Sequence, residues 1–471
     1  MRIRMRQHTT IRLSLLMLAL SLAGCAVGPA YQRPSAPESA SFKELEGWVP
    51  AAPADALERG PWWQLFGDPV LDQLVSSVEV SNQNVALAVA NYAQARAAVA
   101  QQRAALFPTV SLGLSGERAG VRNQGADTSY RLNLGGSWEP DVWGRLRAGV
   151  TSAQAGLEAS AADLASARLS SQGELASNYF NIRALDALSG LLVRTITGYE
   201  RELQITQNRF NVGIAARTDV LQAQTQLANA RNDALTLTRQ RAQFEHAIAI
   251  LVGKAPSQFA LAPSPDWRVA VPEVPVGVPA TLLQRRPDIA AAERDVAAAN
   301  AEIGIARAAY FPNIGLSGAL GTGGSRVGDL FSASNAAWSF GLSAAQTLFN
   351  AGATRASVLG AEARHQAAVA RYRQTVLNAF ADVEDQLTAT RILAQQQDLR
   401  REASAAADLV EQQIMNRYRA GQVGYTDVVQ AQFTALNARR SLVQVQADRQ
   451  AAAVALIQSL GGGWRVGREA G

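Results

Sequence analysis

Few residues in this chain have the type and spacing to do chemistry. Cys25 is the only cysteine among 471 residues, and it follows Leu22-Ala23-Gly24. That pattern resembles a bacterial lipobox, in which the signal is cut before the cysteine and the thiol is acylated. Ala26 follows, where an Asp often marks retention at the inner membrane, so sorting to the outer membrane is expected. Two histidines remain beyond the leader, His246 and His365. Neither has Cys or acid partners at metal-ligand spacing, so no metal site is expected. Asp382, Glu384 and Asp385 crowd one helical stretch, which suits a solvated or tunnel-lining face better than acid–base chemistry. Gly321-Thr-Gly-Gly-Ser325 is glycine-rich but lacks the Gly-Lys-Thr/Ser ending of a phosphate loop. It is expected to be a hairpin loop. No nucleophile–base pair appears, so no enzyme is expected.

The N-terminus is expected to be a signal peptide over residues 1–24. Arg2, Arg4, Arg6 and Arg12 precede or open an apolar run from Leu13 to Leu22, too short to span a membrane as a helix. These four account for the apparent basicity. Of 44 basic residues, 40 remain beyond them against 39 acidic ones, which is no footprint for nucleic acid. A single cysteine permits no internal disulfide. With no later apolar run of helix-spanning length, any membrane crossing must be by lipid or by β-barrel.

The chain is a tandem repeat. Arg103-Ala-Ala-Leu-Phe-Pro108 matches Arg307-Ala-Ala-Tyr-Phe-Pro312, Asn208-Arg-Phe-Asn-Val-Gly213 matches Asn416-Arg-Tyr-Arg-Ala-Gly421, and Thr218-Asp-Val-Leu-Gln-Ala-Gln224 matches Thr426-Asp-Val-Val-Gln-Ala-Gln432. After an N-terminal lipid-anchored extended segment over 25–72, the repeats occupy 73–253 and 282–461. A proline-rich connector over 254–281 lies between them, and a tail over 462–471 follows. Each half begins with a helix, the first over about 73–106. A β-hairpin comes next, over 108–140 in the first half and 312–347 in the second. Val110, Leu112 and Leu114 alternate with small polar residues, as do Trp338, Phe340 and Leu342. Then come a long and a shorter helix. The stretches 145–210 and 352–418 hold no proline, and each would be about 100 Å long as one helix. Val369, Tyr372, Val376, Phe380, Val383 and Leu387 step at coiled-coil spacing. Gly213 and Gly421 are expected as left-handed helix stops, with Thr218 and Thr426 as the next N-caps and Asp219 and Asp427 in the first turns. In the first half the two short helices together match the long one, so they could stack end to end beside it. Four strands cannot close a barrel, since about eight fill even a narrow one, so subunits are expected to share one.

Taken together, Cys25-Ala-Val-Gly-Pro-Ala-Tyr-Gln-Arg-Pro34, Trp62-Trp-Gln-Leu-Phe-Gly-Asp-Pro69, Leu283-Gln-Arg-Arg-Pro-Asp-Ile289, Ile303-Gly-Ile-Ala-Arg307 and Leu460-Gly-Gly-Gly-Trp464 point to a family. The chain resembles the outer-membrane channels of tripartite RND-type efflux pumps, in the OprM- and NodT-like lipoprotein branch, with TolC more distant. The resemblance implies a membrane β-barrel plus all-α fold. Three identical chains would share one twelve-stranded outer-membrane barrel, four strands each, continued by a long periplasmic α-helical barrel. It implies a passive exit duct for small toxic compounds or drugs, working with a periplasmic adaptor and an inner-membrane RND-type transporter. Metal-ion efflux, type I protein secretion and a non-channel structural lipoprotein are the alternatives. No cofactor is expected beyond diacylglycerol and an N-acyl lipid on Cys25.

The resemblance also implies a gate at the periplasmic tip, made of acidic rings and a tyrosine–acid network. By position Asp219 and Asp427 match the acids and Tyr418 the tyrosine. Where the TolC pattern has an arginine and a second acid, this chain has Val423 and Gln430. Fewer ionic locks are expected here.

Overall fold

The computed structural model describes residues 27–37, 42–44, 61–121, 124–265, 267, 271–272 and 286–462. Cys25, the leader over 1–24, Trp464, and most of the connector beyond Pro265 lie outside the described residues. The chain divides into two compact units. One comprises the described residues of Met1–Ala36, Asn91–Ala161 and Ala291–Gln374; the other comprises those of Pro37–Ala90, Ala162–Ala290 and Thr375–Gly471.

The elements are α1 (Pro69–Ser81), α2 (Gln83–Ala104), β1 (Thr109–Val121), β2 (Gln124–Trp138), α3 (Arg145–Asn211) and α4 (Arg217–Leu251). They are followed by α5 (Pro287–Ala308), β3 (Asn313–Gly324), β4 (Ala336–Ala345), α6 (Ala353–Arg419) and α7 (Tyr425–Ser459). The repeat is visible in their lengths: α2 and α5 have 22 residues each, α3 and α6 have 67, and α4 and α7 have 35. No helix among the described residues is long and apolar enough to cross a membrane.

In the first unit the four strands form one antiparallel sheet in chain order, because β2 also pairs with β3. The registers place Leu112 opposite Leu134, Leu134 opposite Leu320, and Leu320 opposite Trp338. Directly opposed residues share a face, so these four side chains form one row across the sheet. Val110 and Phe340 close a neighbouring row through Gly136 and Gly318. The apolar face is bare: Leu112 is 71% exposed and Trp338 80%. The other face carries Ser111, Gly113, Ser115, Ser317, Ser339 and Ser343. Strands of 10 to 15 residues are long enough to cross a bilayer when tilted. Among the described residues, the outer edges of β1 and β4 pair with no strand.

One sequence expectation fails here. Gly321 to Gly324 belong to strand β3, where Gly321 pairs with both Asn133 and Ala337, and do not form a hairpin loop. Small residues on alternate positions leave the strand pattern weak, which is why it looked like a turn. Proline ends α2 and α5 before the strands, at Pro108 and Pro312. Aromatic donors fix these junctions: Trp138 Nε1 donates to the Leu106 carbonyl at 2.9 Å, and Trp143 Nε1 to Pro312 at 2.7 Å while stacking on Phe311 at 4.8 Å. The described N-terminal segment is tied down as well. The Tyr31 hydroxyl donates to Glu293, and Asn300 Nδ2 donates to the Pro29 carbonyl at 3.0 Å.

In the second unit the expected helix over 73–106 is broken at Asn82, whose ψ of 127° is extended. Its side-chain oxygen accepts from the Asn84 and Val85 amides at 2.9 and 3.1 Å and so caps the start of α2. Its Nδ2 donates to the Leu251 carbonyl at 2.8 Å, at the end of α4. Gly253, with φ of 69°, lets the chain pass so close to Ser81 that a Cβ would lie 2.2 Å from its carbonyl oxygen. The end of α4 thus meets the start of α2, as end-to-end stacking requires. The second half repeats the contact, with Arg286 Nη1 donating to the Ser459 carbonyl at 3.2 Å.

The core of this unit combines Leu71, Val75 and Val78 of α1 with Leu175, Phe180 and Ile182 of α3, all buried. Phe66 packs on Phe180 at 4.8 Å, and the Tyr179 hydroxyl donates to Asp68 at 2.5 Å. A buried charge node sits beside them. Asp186 receives Arg183 at 3.0 Å, Arg241 at 2.7 Å and the Ser264 amide at 3.0 Å. The two arginines also donate to the carbonyls of Ala262 and Leu261. This ties the connector to α3 and α4. On α6, Val376, Val383 and Leu387 are fully buried, in keeping with the coiled-coil spacing.

Candidate functional site at the helical turns

Two tight turns link α3 to α4 and α6 to α7. Each long helix ends where glycine takes a left-handed conformation, φ 77° at Gly213 and 71° at Gly421. The Ile214 amide donates to the Arg209 carbonyl at 2.8 Å and the Gln422 amide to Arg417 at 2.9 Å, which satisfies carbonyls at both helix ends. The N-caps are Ala216 and Gly424, not Thr218 and Thr426. The helices begin two residues earlier than the threonines suggest, which places Asp219 and Asp427 at the third helical position. From there the Asp427 carboxylate reaches back to accept the Gly424 amide at 3.1 Å. Both acids also face the positive end of a helix dipole.

Of the residues singled out from sequence, Tyr418 is buried, Asp219 is half-buried, and Asp427 and Gln430 are exposed. Tyr418 packs in an apolar cluster with Ala223, Tyr425 and Val428, joined by Ile414, Met415 and Val423. The Tyr418 and Tyr425 rings lie 5.5 Å apart. Val423, standing where the resembled pattern has a cation, is therefore part of the packing. From another element, the Arg209 guanidinium of α3 lies 4.9 Å over the Tyr418 ring. The Tyr418 hydroxyl is buried and has no partner among the described residues, so it does not bond to Asp219 or Asp427. Burial, with Glu202 adding, pushes the Tyr425 hydroxyl pKa up.

Next to this cluster Tyr199, Leu227 and Ala230 form a second one. Burial and the nearby Glu202 raise the Tyr199 pKa to about 12. Glu202 on α3 accepts from Gln432 Nε2 of α7 at 2.7 Å. A groove of about 580 Å³ runs between α4 and α7, lined by Gln222, Gln226, Asn229, Gln430, Phe433 and Asn437 among others. Among the described residues there is no group of His, Cys, Asp or Glu suited to a metal ion.

Arg209, Tyr425, Glu202 and Gln432 escaped the sequence reading. The repeat carries a signal for two of them. Arg209-Phe210 aligns with Arg417-Tyr418, and Gln432 with Gln224, whereas Glu202 aligns with Val410 and Tyr425 with Arg217. The tip keeps the repeat motifs, and Glu202 and Tyr425 are the positions there without a like counterpart in the other half.

The family model described as outer membrane efflux protein matches residues 74–254 and again 278–462, one match for each repeat. The chain is 34% identical over 462 residues to the antibiotic efflux pump outer membrane protein ArpC of Pseudomonas putida, covering 96% of this chain and 95% of that protein. To the solvent efflux pump outer membrane protein SrpC of Pseudomonas putida it is 33% identical over 470 residues, covering 96% and 98%. The solved outer-membrane channel OprN superposes with a TM-score of 0.85 at 31% identity, over 93% of this chain and all of that one. Two repeats that each match, with relatives alike over nearly their whole length, place this chain in the outer membrane efflux protein family.

Proposed function

We propose that the chain is the exit duct of a tripartite efflux system, built as a homotrimer whose three sheets close one twelve-stranded barrel. One observation carries this reading: a four-stranded sheet with a bare apolar face and two unpaired edges. In lipid an open edge strands backbone donors and acceptors at several kcal/mol each, so β1 of one chain must meet β4 of the next. Cys25 would carry diacylglycerol and an N-acyl group, anchoring each chain to the outer membrane. A periplasmic adaptor and an inner-membrane RND-type transporter would supply the cargo and the energy. Small toxic organic compounds are the cargo that fits best, since the relatives' names speak of antibiotic and solvent efflux. The test is gel migration of the purified protein. A band of trimer mass that collapses to monomer only on heating is expected, and monomer in detergent without heating would refute the shared barrel.

The tip would be the gate, with Asp219, Tyr418, Asp427 and Gln430 around it. Packing and the Arg209–Tyr418 contact would hold it, in place of the ionic locks of the resembled pattern. Removing the cation with Arg209→Gln should shift the closed–open balance by about 1 kcal/mol, raising single-channel conductance in planar bilayers. Tyr418→Phe should change little, because the ring stays and the hydroxyl has no partner to lose. A large rise with Tyr418→Phe, and none with Arg209→Gln, would reverse that assignment.

A further inference from the structure

Two buried oxygen atoms beside the Tyr418 cluster face a problem that one proton solves. Gln432, 4% exposed, donates from Nε2 to Glu202 Oε1 at 2.7 Å. The other oxygens of the same two groups, Glu202 Oε2 and Gln432 Oε1, are both shut off from solvent and have no partner among the described residues. Burying two acceptors without a donor is unfavourable, because each loses its hydrogen bonds to water and gains none. A proton on Glu202 Oε2 lets it donate to the Gln432 amide oxygen while the amide nitrogen goes on donating to Oε1. The result is a reciprocal pair in which every buried polar atom is satisfied.

We propose that Glu202 is a proton-operated latch: the neutral carboxyl pairs reciprocally with Gln432 and holds α3 against α7 at the tip, and its ionisation releases that hold. The latch joins the first repeat to the second. The surroundings favour the neutral form. Burial pushes the Glu202 carboxyl above its ordinary value of 4.5, and Glu411 of α6 pushes the same way. The Gln432 amide and Arg419 of α6 oppose them. Tyr425 of α7 and Tyr199 of α3 also face this carboxylate, and burial keeps both protonated. Once ionised, Glu202 would confront the orphaned Gln432 oxygen and Glu411 together. The proton comes from solvent and returns to it, and no other bond changes.

Folded Glu202 holds its proton more tightly than unfolded Glu202. Its stabilising contribution is therefore complete below the unfolded value and is lost as pH rises through the higher folded one. The test uses the whole protein in detergent and in planar bilayers, and it rests on the tip being the gate. Glu202→Gln keeps a reciprocal amide–amide pair with no proton to lose. In wild type, infrared difference spectra should show a protonated-carboxyl band that disappears as pH rises, and Glu202→Gln should lack it. Conductance of wild type should rise several-fold over the same pH interval, while Glu202→Gln stays at the low-pH level throughout. An identical band and an identical pH profile in the variant would overturn the latch. A band that titrates without any change in conductance would refute the tip as gate, and a band absent from wild type would refute the pair itself.

Discussion

Arginine in place of Leu320 should remove the protein from the outer membrane, while arginine one residue earlier, at Ala319, should not. Leu320 sits in the row Leu112–Leu134–Leu320–Trp338, in mid-strand and on the bare apolar face. A cation there must be carried into hydrocarbon, at about 2–4 kcal/mol for each chain near the midplane of a barrel. In a trimer the cost is incurred three times at once, which is comparable with the whole stability of an ordinary domain. Ala319 is opposite Gly135 and Ser339, on the face lined by serine and glycine. Its side chain points into the enclosed space of a closed barrel, where an added charge alters passage more than assembly. Membrane fractionation and heat-modifiable gel migration check both variants. Leu320→Arg assembling like wild type, or Ala319→Arg failing in the same way, would mean that the apolar face does not meet lipid.

Removing the Asp186 carboxylate should be the most damaging single change outside the sheet. Asp186 and Arg183 have side chains only 2% and 5% exposed, and Arg241 is also mostly buried. Asp186→Ala leaves two guanidiniums without their anion, and breaking a buried pair from one side costs about 3–5 kcal/mol. It also frees the Ser264 amide and so loosens the connector from α3. Asp186→Asn keeps the shape and one acceptor oxygen and should lose less. Thermal unfolding of the purified variants should rank wild type above Asp186→Asn and Asp186→Ala lowest. Equal melting of all three would show that the node is not a staple.

Much of this architecture is written in the sequence, because its main signals are periodic. The repeat, the glycine stops at Gly213 and Gly421, and the alternation around Leu112 and Phe340 each need only local reading. The misses share a cause. Asn82 breaks a helix that composition alone would continue, since it is needed to cap α2 and hold the end of α4, and that contact is remote in sequence. Thr218 and Thr426 have the chemistry of caps, but the backbone turns two residues too early for them. Gly321 to Gly324 look like a turn until their pairing with β2 is known. At the tip, Asp219, Tyr418, Asp427 and Gln430 can be singled out by position in the sequence, whereas Glu202 and Arg209 stand out only through what folds against them. Burial of a carboxylate oxygen or the placing of a guanidinium over a ring leaves no mark on spacing.

The central claim is that this protein is the outer-membrane exit for small organic compounds, and deletion of its gene tests that most directly. Accumulation of dyes, antibiotics, detergents and metal salts would be measured in the deletion strain and after restoring either wild type or Leu320→Arg. The account predicts that several organic compounds accumulate on deletion, that wild type reverses this, and that Leu320→Arg does not. Accumulation of metals alone, no change for any compound, or full rescue by Leu320→Arg would contradict it.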